Sequence, residues 1–144
     1  MQEIQRVEIR LPAEQRKQTF IKVSGKDTFP WYFDDPERSP VDRNRWGGGV
    51  PLILSGPGAD RVITRDATEQ KLAEYGLSHP QMVIILTLED GDVLKINVGD
   101  KVPDGTNYYV QSPNSNHVSL VDYSWYDVLE RLVTEPPYVP ASAN

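Results

Sequence analysis

The chain has 144 residues, of which 38% are hydrophobic, and it carries a formal net charge of −6 and no cysteine. This length fits one domain with a packed core, and the acidic balance argues against nucleic acid as the main partner. The lack of cysteine excludes disulfides, thiolate metal sites and cysteine nucleophiles, and no apolar run approaches the ~20 residues that span a bilayer.

The first residues predict a β-hairpin followed by a third strand. Residues 4–10 alternate apolar and polar side chains, which is the period-two pattern of a half-buried strand. After a polar connection, residues 19–23 predict a second strand, rich in aromatic and β-branched side chains. Residues 29–33 predict the third, and Pro30 places it at a sheet edge or a strand end.

The middle of the chain is harder to interpret. Residues 34–45 are charged and interrupted by prolines, which is typical of a loop. In residues 46–54, three consecutive glycines would each cost roughly 1 kcal/mol inside a helix, so we expect a loop followed by a short helix. Residues 61–63 predict a short strand.

Clearer local signals begin at Asp66. Asp66 with Glu69 three residues later resembles a capping box, which predicts a helix that starts at this point. Gly76 stands where a left-handed residue ends a helix, and Leu77 follows as the hydrophobic partner of that motif.

Four apolar strands are predicted after this helix, at residues 82–88, 93–98, 107–111 and 117–121. The Asp90-Gly91 pair between the first two is a strong hairpin signal.

A second helix is predicted at residues 124–133. Its apolar stripe consists of Trp125, Val128, Leu129 and Leu132, at the spacing of one helix face. Pro136 and Pro137 end it. The fold class is therefore α+β: an antiparallel β-meander with short helices packed on one face, preceded by an N-terminal β-hairpin. We expect a single domain at residues 1–135, best defined at 65–133, and a flexible tail at 136–144.

The polar residues do not form a recognisable catalytic or metal-binding pattern. His79 and His117 lack the spacing of a two-histidine metal site. Asp34, Asp35 and Glu37 are better explained as a solvated turn than as a carboxylate pair for acid–base chemistry. We therefore expect no catalytic residues, no metal and no cofactor.

Aromatic residues and one glycine run are better candidates for binding a partner. Neighbours on a strand point to opposite faces, so either Tyr108 or Tyr109 should face outward, and Tyr126 lies off the apolar stripe of the last helix. Exposed aromatics are enriched at protein interfaces. A tryptophan beside flexible residues suits a docking loop, although a tight backbone passage under the ring would explain it equally well. The predicted partner-binding residues are Trp46, Gly47, Gly48, Gly49, Tyr109 and Tyr126.

Several of these motifs together resemble domain-of-unknown-function family 4340. The resemblance is carried by the helix ending in Tyr75-Gly76-Leu77, by Asp90-Gly91, by Asn97-Val98-Gly99, by Tyr108-Tyr109-Val110 and by residues 118–121. Trp31 and residues 39–42 also fit, whereas residues 46–51 depart from the family, which more often has an uninterrupted helix there. The resemblance implies a bacterial domain outside the cytoplasm, tethered by an N-terminal membrane helix, often encoded beside transporter or gliding-motility components. No catalytic residues are established for the family, so the resemblance assigns none to this chain.

From the absence of a catalytic pattern and from the resemblance, we expect a non-enzymatic, extracytoplasmic accessory or assembly domain that binds a membrane protein complex, with a transporter complex as one candidate. The chain enters strand-like sequence within a few residues of Met1, so we expect it to be cut from a longer protein, which agrees with the membrane anchor that the resemblance implies. The alternative is a small-molecule or glycan-binding module that uses exposed aromatics such as Trp31 and Tyr109. An enzyme is the third hypothesis, and nucleic acid is not an expected partner.

Overall fold

The structure, a computed structural model, describes residues 4–22, 31–42, 62–111 and 116–138. These residues form one antiparallel sheet of eight strands and two α-helices, so the α+β class is confirmed, with β structure predominant. The strands are β1 (Ile4–Leu11), β2 (Arg16–Lys22), β3 (Trp31–Phe33), β4 (Val62–Thr64), β5 (Met82–Leu88), β6 (Val93–Lys101), β7 (Asn107–Gln111) and β8 (Val118–Asp122). The helices are α1 (Glu69–Glu74) and α2 (Tyr123–Thr134). The order across the sheet is β3-β2-β1-β5-β6-β7-β8-β4.

The first two strands lie inside the sheet rather than at its margin. β1 pairs with β2 on one side and with β5 on the other, and Ile9 lies opposite Ile84 on β5. β2 starts at Arg16, three residues earlier than the sequence predicted at residue 19. The reason is the connection: Pro12–Glu14 form a 3₁₀ helix and Gln15 is left-handed (φ 53°), which reverses the chain tightly enough for Arg16 to pair with Leu11.

Helix α2 covers the main core. Asp122 caps it by accepting a 3.0 Å hydrogen bond from the Ser124 amide. Its buried side chains are Trp125, Tyr126, Leu129, Leu132 and Val133. The predicted stripe is therefore wrong at Val128, which is 38% exposed. Successive helical residues are about 100° apart, so a face centred on Leu129 turns Val128 away from the sheet and brings Tyr126 onto it.

Helix α1 begins later than the capping-box pattern predicts. The N-cap is Thr68, whose hydroxyl accepts a 3.2 Å hydrogen bond from the Lys71 amide, and not Asp66. The Ala67 side chain is buried and its amide donates to the Asn116 carbonyl, so the chain is held outside the helix at that point.

The end of α1 matches its prediction. Gly76 is left-handed (φ 75°) and its amide donates to the Ala73 carbonyl. The Leu77 amide donates to the Leu72 carbonyl at 2.8 Å. This pair of bonds satisfies two carbonyls that the last turn would otherwise leave without partners.

The two helices lie on opposite faces of the sheet, so the expectation that both pack on one face is wrong. Tyr108 and Val121 face each other and belong to the core under α2. Tyr109 and Val118 belong instead to a second cluster with Leu77 beside α1. Because strand neighbours alternate between faces, a buried surface exists on each side of β7 and β8.

The segment after α2 contacts the body of the domain. The Asp42 amide donates a 2.7 Å hydrogen bond to the Pro137 carbonyl, and Val41 forms a β-bridge with Tyr138. The Tyr138 ring stacks on Phe33, with ring centroids 4.1 Å apart. The packed domain thus includes residue 138, beyond the predicted boundary at 135; residues 139–144 lie outside the described residues.

No helix within the described ranges combines the length and apolar character needed to cross a membrane.

Candidate functional site

The residues predicted to bind a partner differ in whether the structure describes them and in whether their side chains are exposed. Trp46, Gly47, Gly48 and Gly49 lie outside the described residues. The prediction that Tyr126 is an exposed aromatic is wrong, because only 5% of its surface is exposed. Its ring stacks on Tyr108, with centroids 4.2 Å apart. Burial, reinforced by the nearby carboxylate of Glu130, raises the pKa of the Tyr126 hydroxyl above its ordinary value.

Tyr109 is the outer member of its strand pair, as the alternation predicts, but its ring is partly covered. Tyr108 is buried under α2, whereas Tyr109 is half-buried on the opposite face. The Tyr109 ring stacks on Tyr75 at the end of α1, with centroids 4.4 Å apart. One face of this ring is therefore already occupied by the chain itself.

Trp31, which the ligand-binding alternative requires as an exposed platform, is buried. Only 7% of its surface is exposed, and it belongs to the main core together with Phe33. Since a stacking platform must present its ring to solvent, Trp31 cannot serve as one in this arrangement.

Asp34 and Asp35 lie in a turn, as predicted, and their carboxylates are bonded to neighbouring residues. Asp35 accepts hydrogen bonds from the Ser39 amide at 2.9 Å and from the Ser39 hydroxyl at 2.8 Å. These two bonds lower the pKa of the Asp35 carboxyl below its usual value. Asp34 pairs with Arg6 at 2.7 Å and with Arg38 at 3.3 Å. Within the described part of the chain, no group of three or more His, Asp or Glu side chains is placed to hold a metal ion.

An open cleft of about 570 Å³ lies mainly on the sheet face opposite α2, and at the connection from β1 to β2 it reaches Leu11 and Arg16, which are on the α2 side. It lies where the connection from β1 to β2 passes beside β5 and β6. We call it the basic cleft, because four cationic side chains line it and no acidic residue does. These four are Arg10, Arg16, Lys17 and Lys95.

The strand register explains why these cationic side chains line the same cleft. Lys17 on β2 lies opposite Arg10 on β1, and Arg10 lies opposite Val83 on β5. One row further along, Ile85 on β5 lies opposite Lys95 on β6. Residues that lie opposite each other in neighbouring strands share a sheet face. Val83 and Ile85 therefore form an apolar floor, with Arg10 and Lys17 on one side of it and Lys95 on the other.

Two of the four cations are engaged within the chain. Arg10 pairs with Glu8, which is buried beside it. Arg16 donates to the carbonyls of Val133 and Thr134 at 3.3 and 3.4 Å, and so satisfies the last carbonyls of α2. The side chains of Lys17 and Lys95 make no hydrogen bond or ion pair with any other described residue. The two ammonium groups are thus available to a ligand.

Sequence reasoning missed this cleft for a specific reason. Lys17 falls in the segment assigned to a polar connection, and only the earlier start of β2 brings it into register with Arg10. Lys95 stands in a correctly predicted strand, but its sequence separation from Lys17 gives no indication that they share a surface. The alternation of Arg6, Glu8 and Arg10 was the only local sign of a charged sheet face.

Comparison with protein families gives one match. The family model described as "Domain of unknown function (DUF4340)" matches residues 31–133, which is more than half of the chain. Comparisons with curated proteins and with solved structures give no match.

Proposed function

The chain belongs to the family DUF4340, and from that premise we propose that it is a non-enzymatic extracytoplasmic accessory domain that binds a membrane protein complex. The observation that carries this proposal is the basic cleft, with two ammonium groups left without partners among the described residues. A cationic side chain that has no anionic partner within its own chain forms its most favourable electrostatic interaction when a bound partner supplies the anion.

The chemistry of the cleft supports binding rather than transformation of a ligand. Its polar groups are guanidinium and ammonium donors, which recognise anions, and its floor is formed by aliphatic side chains such as Val83 and Ile85. This combination resembles the anatomy of a protein interface, in which an apolar centre is bordered by polar groups.

A membrane-bound location is part of the proposal and follows from the family resemblance. Tethering beside a membrane complex would raise the effective concentration of the domain, so that a weak contact at the cleft would still be occupied. The proposed docking loop at Trp46, Gly47, Gly48 and Gly49 would add contacts of its own.

Cross-linking on native membranes that carry the tagged full-length protein tests the proposal. An amine-reactive cross-linker should join Lys17 and Lys95 to one defined membrane complex, whereas Lys71, which pairs with Glu74 on α1, should yield few such links. Recovery of the protein without reproducible partners would contradict the accessory role and would turn attention to small-molecule or glycan ligands.

The docking loop has a separate test. Trp46→Ala combined with Gly48→Pro should reduce recovery of the membrane complex if the loop takes part. If recovery is unchanged in a folded variant, the loop has no role in docking.

A further inference from the structure

We infer that the basic cleft recognises a short acidic segment of the partner protein, in extended conformation, with two carboxylates on either side of an apolar residue. The inference rests on the proposed function, because it names what the accessory domain would hold.

The charges select an anionic ligand of limited size. The chain has a net charge of −6, so a large polyanion would meet repulsion over most of the surface. The cleft is a local exception, with four cations and no acid in its lining. Charges further away than about 8 Å are screened at physiological ionic strength, so a short anionic group seated in the cleft responds mainly to this local set.

The spacing of the free cations sets the spacing of the anions. Lys17 on β2 and Lys95 on β6 are separated by three strand intervals, because β1 and β5 lie between them. At about 4.8 Å per interval they are about 14 Å apart across the sheet, and their rows are two residues, or about 7 Å, apart along the strands, so their Cα atoms are about 16 Å apart. An extended peptide rises about 3.4 Å per residue, so side chains four residues apart span about 14 Å, and the flexible lysine side chains reach over the remaining distance of about 2 Å.

The floor of the cleft determines what lies between the anions. Residues i, i+2 and i+4 of an extended chain point to the same side, so a segment with acids at i and i+4 directs residue i+2 onto Val83 and Ile85. Both side chains are aliphatic and lie in the interval between the two lysines. The ligand is therefore an acid-x-apolar-x-acid segment.

The open form of the cleft favours a passing chain over an enclosed small molecule. The cavity lies on the surface of the sheet, beside the connection that contains Pro12 and Gln15, and has a volume of about 570 Å³. A volume in this range accommodates several side chains. Arg16 is fixed by its bonds to the end of α2, so one wall is held in position before the ligand arrives.

The test uses the peptide acetyl-Glu-Ser-Val-Ser-Glu-amide and isotopically labelled chain, with binding followed by amide chemical shifts. We expect saturable shifts at Val83, Ile85 and Lys95. The combined variant Lys17→Gln/Lys95→Gln should lose roughly tenfold in affinity, since exposed ion pairs are individually weak. The matched control Lys71→Gln removes the same charge from α1 and should bind like the unmodified chain.

Three outcomes would overturn the inference. The first is equal binding of acetyl-Gln-Ser-Val-Ser-Gln-amide, which lacks the carboxylates. The second is a shift map that lies away from the cleft. The third is binding to phosphatidylglycerol vesicles with no binding to the peptide, which would assign the cleft to lipid headgroups. Retention of the native spectrum in the lysine variants shows that lost binding is not lost folding.

The same variants separate this inference from the proposed function. If the Lys17→Gln/Lys95→Gln protein still captures the membrane complex, the accessory role stands and the cleft assignment is wrong. If the unmodified chain binds the acidic peptide but no membrane complex is recovered, the accessory role is wrong and only the recognition chemistry remains.

Discussion

The carbonyl oxygen of Tyr75 accepts a 2.8 Å hydrogen bond from the amide of Asp100, which joins the end of helix α1 directly to strand β6. The neighbouring residues are glycines on both sides of this contact. A Cβ added at Gly99 would overlap the Tyr75 carbonyl oxygen, and one at Gly76 would overlap the Asp100 side chain. The close approach of the two backbone segments therefore requires Gly99, whereas glycine is favoured at Gly76 by its left-handed backbone (φ 75°) and by the nearby Asp100 side chain.

We predict that Gly99→Ala destabilises the fold by about 1–3 kcal/mol, because a backbone atom has to move to accommodate the new methyl group. Urea unfolding measures the change. Gly91→Ala is the informative comparison, since the new Cβ would meet nothing within 4 Å. At that position an alanine is strained only by the left-handed backbone (φ 94°), so its effect on the free energy of unfolding contains no steric clash. If Gly99→Ala is as stable as the unmodified chain, the contact between Tyr75 and β6 is looser than described.

A second prediction concerns the orientation of helix α2. Leu129 is fully buried whereas its neighbour Val128 is 38% exposed. Leu129→Ala should cost about 2–5 kcal/mol through lost burial and the cavity left behind. Val128→Ala should cost less than about 1 kcal/mol, since its side chain faces solvent and alanine is a better helix former. Equal losses in thermal or urea unfolding would contradict the observed helix face.

A third prediction concerns Glu130 on α2. Burial, together with the nearby carboxylates of Glu14 and Asp127, raises the pKa of the Glu130 carboxyl above its ordinary value of 4.5. Between the unfolded and the folded pKa, the folded chain holds this proton more tightly, so stability falls as the pH rises through that window. Replacing Glu130 with an uncharged isostere should therefore stabilise the fold at neutral pH.

The measurement is the free energy of unfolding of Glu130→Gln and of the unmodified chain between pH 4 and pH 8. The free energy of unfolding of Glu130→Gln should exceed that of the unmodified chain at neutral pH, and this difference should shrink as the pH falls through the Glu130 pKa. Asp92→Asn removes a charge from the exposed turn between β5 and β6 and serves as the control. An advantage that is independent of pH would show that Glu130 acts through packing instead.

A fourth prediction follows from the buried ring of Tyr126. Its hydroxyl keeps its proton above the ordinary pKa of 10.0 while the domain is folded. Unfolding at alkaline pH then releases this proton, so stability should fall as the pH rises above about 10, by at most about 1.4 kcal/mol per pH unit for one group. Tyr126→Phe should make that decline shallower.

Ultraviolet absorbance of tyrosinate and urea unfolding between pH 9 and pH 12 together check this prediction. Tyr123→Phe, at a 49% exposed position on the same helix, is the matched control and should leave the decline unchanged. If Tyr126→Phe and Tyr123→Phe behave alike, the Tyr126 hydroxyl is more accessible than its packing on Tyr108 indicates.

Local chemistry made several features of the fold predictable. The left-handed residues at Gly76 and Gly91 depend on short-range backbone geometry, which sequence patterns record directly. The strands at residues 82–88 and 107–111 were predicted with the observed bounds, because both are apolar runs bounded by turn residues. Such signals need no knowledge of distant contacts.

Features that depend on distant contacts were missed or placed incorrectly. Tyr126 on α2 is buried against Tyr108 on β7, a contact that the helix's own sequence does not reveal. The N-cap at Thr68 depends on the bond between Ala67 and Asn116. The basic cleft needs β2 and β6 to lie three strand intervals apart, an arrangement that composition and periodicity do not encode.

The order of strands limits how this domain can be excised or exchanged. The family match begins at residue 31, yet β1 and β2, which precede it, lie between β3 and β5. A fragment trimmed to residues 31–133 would leave β3 with no neighbouring strand and would expose the hydrogen-bonding edge of β5. The matched segment and the paired sheet therefore have different borders, and deletion mapping or domain swapping should keep β1 and β2 together with the rest of the sheet.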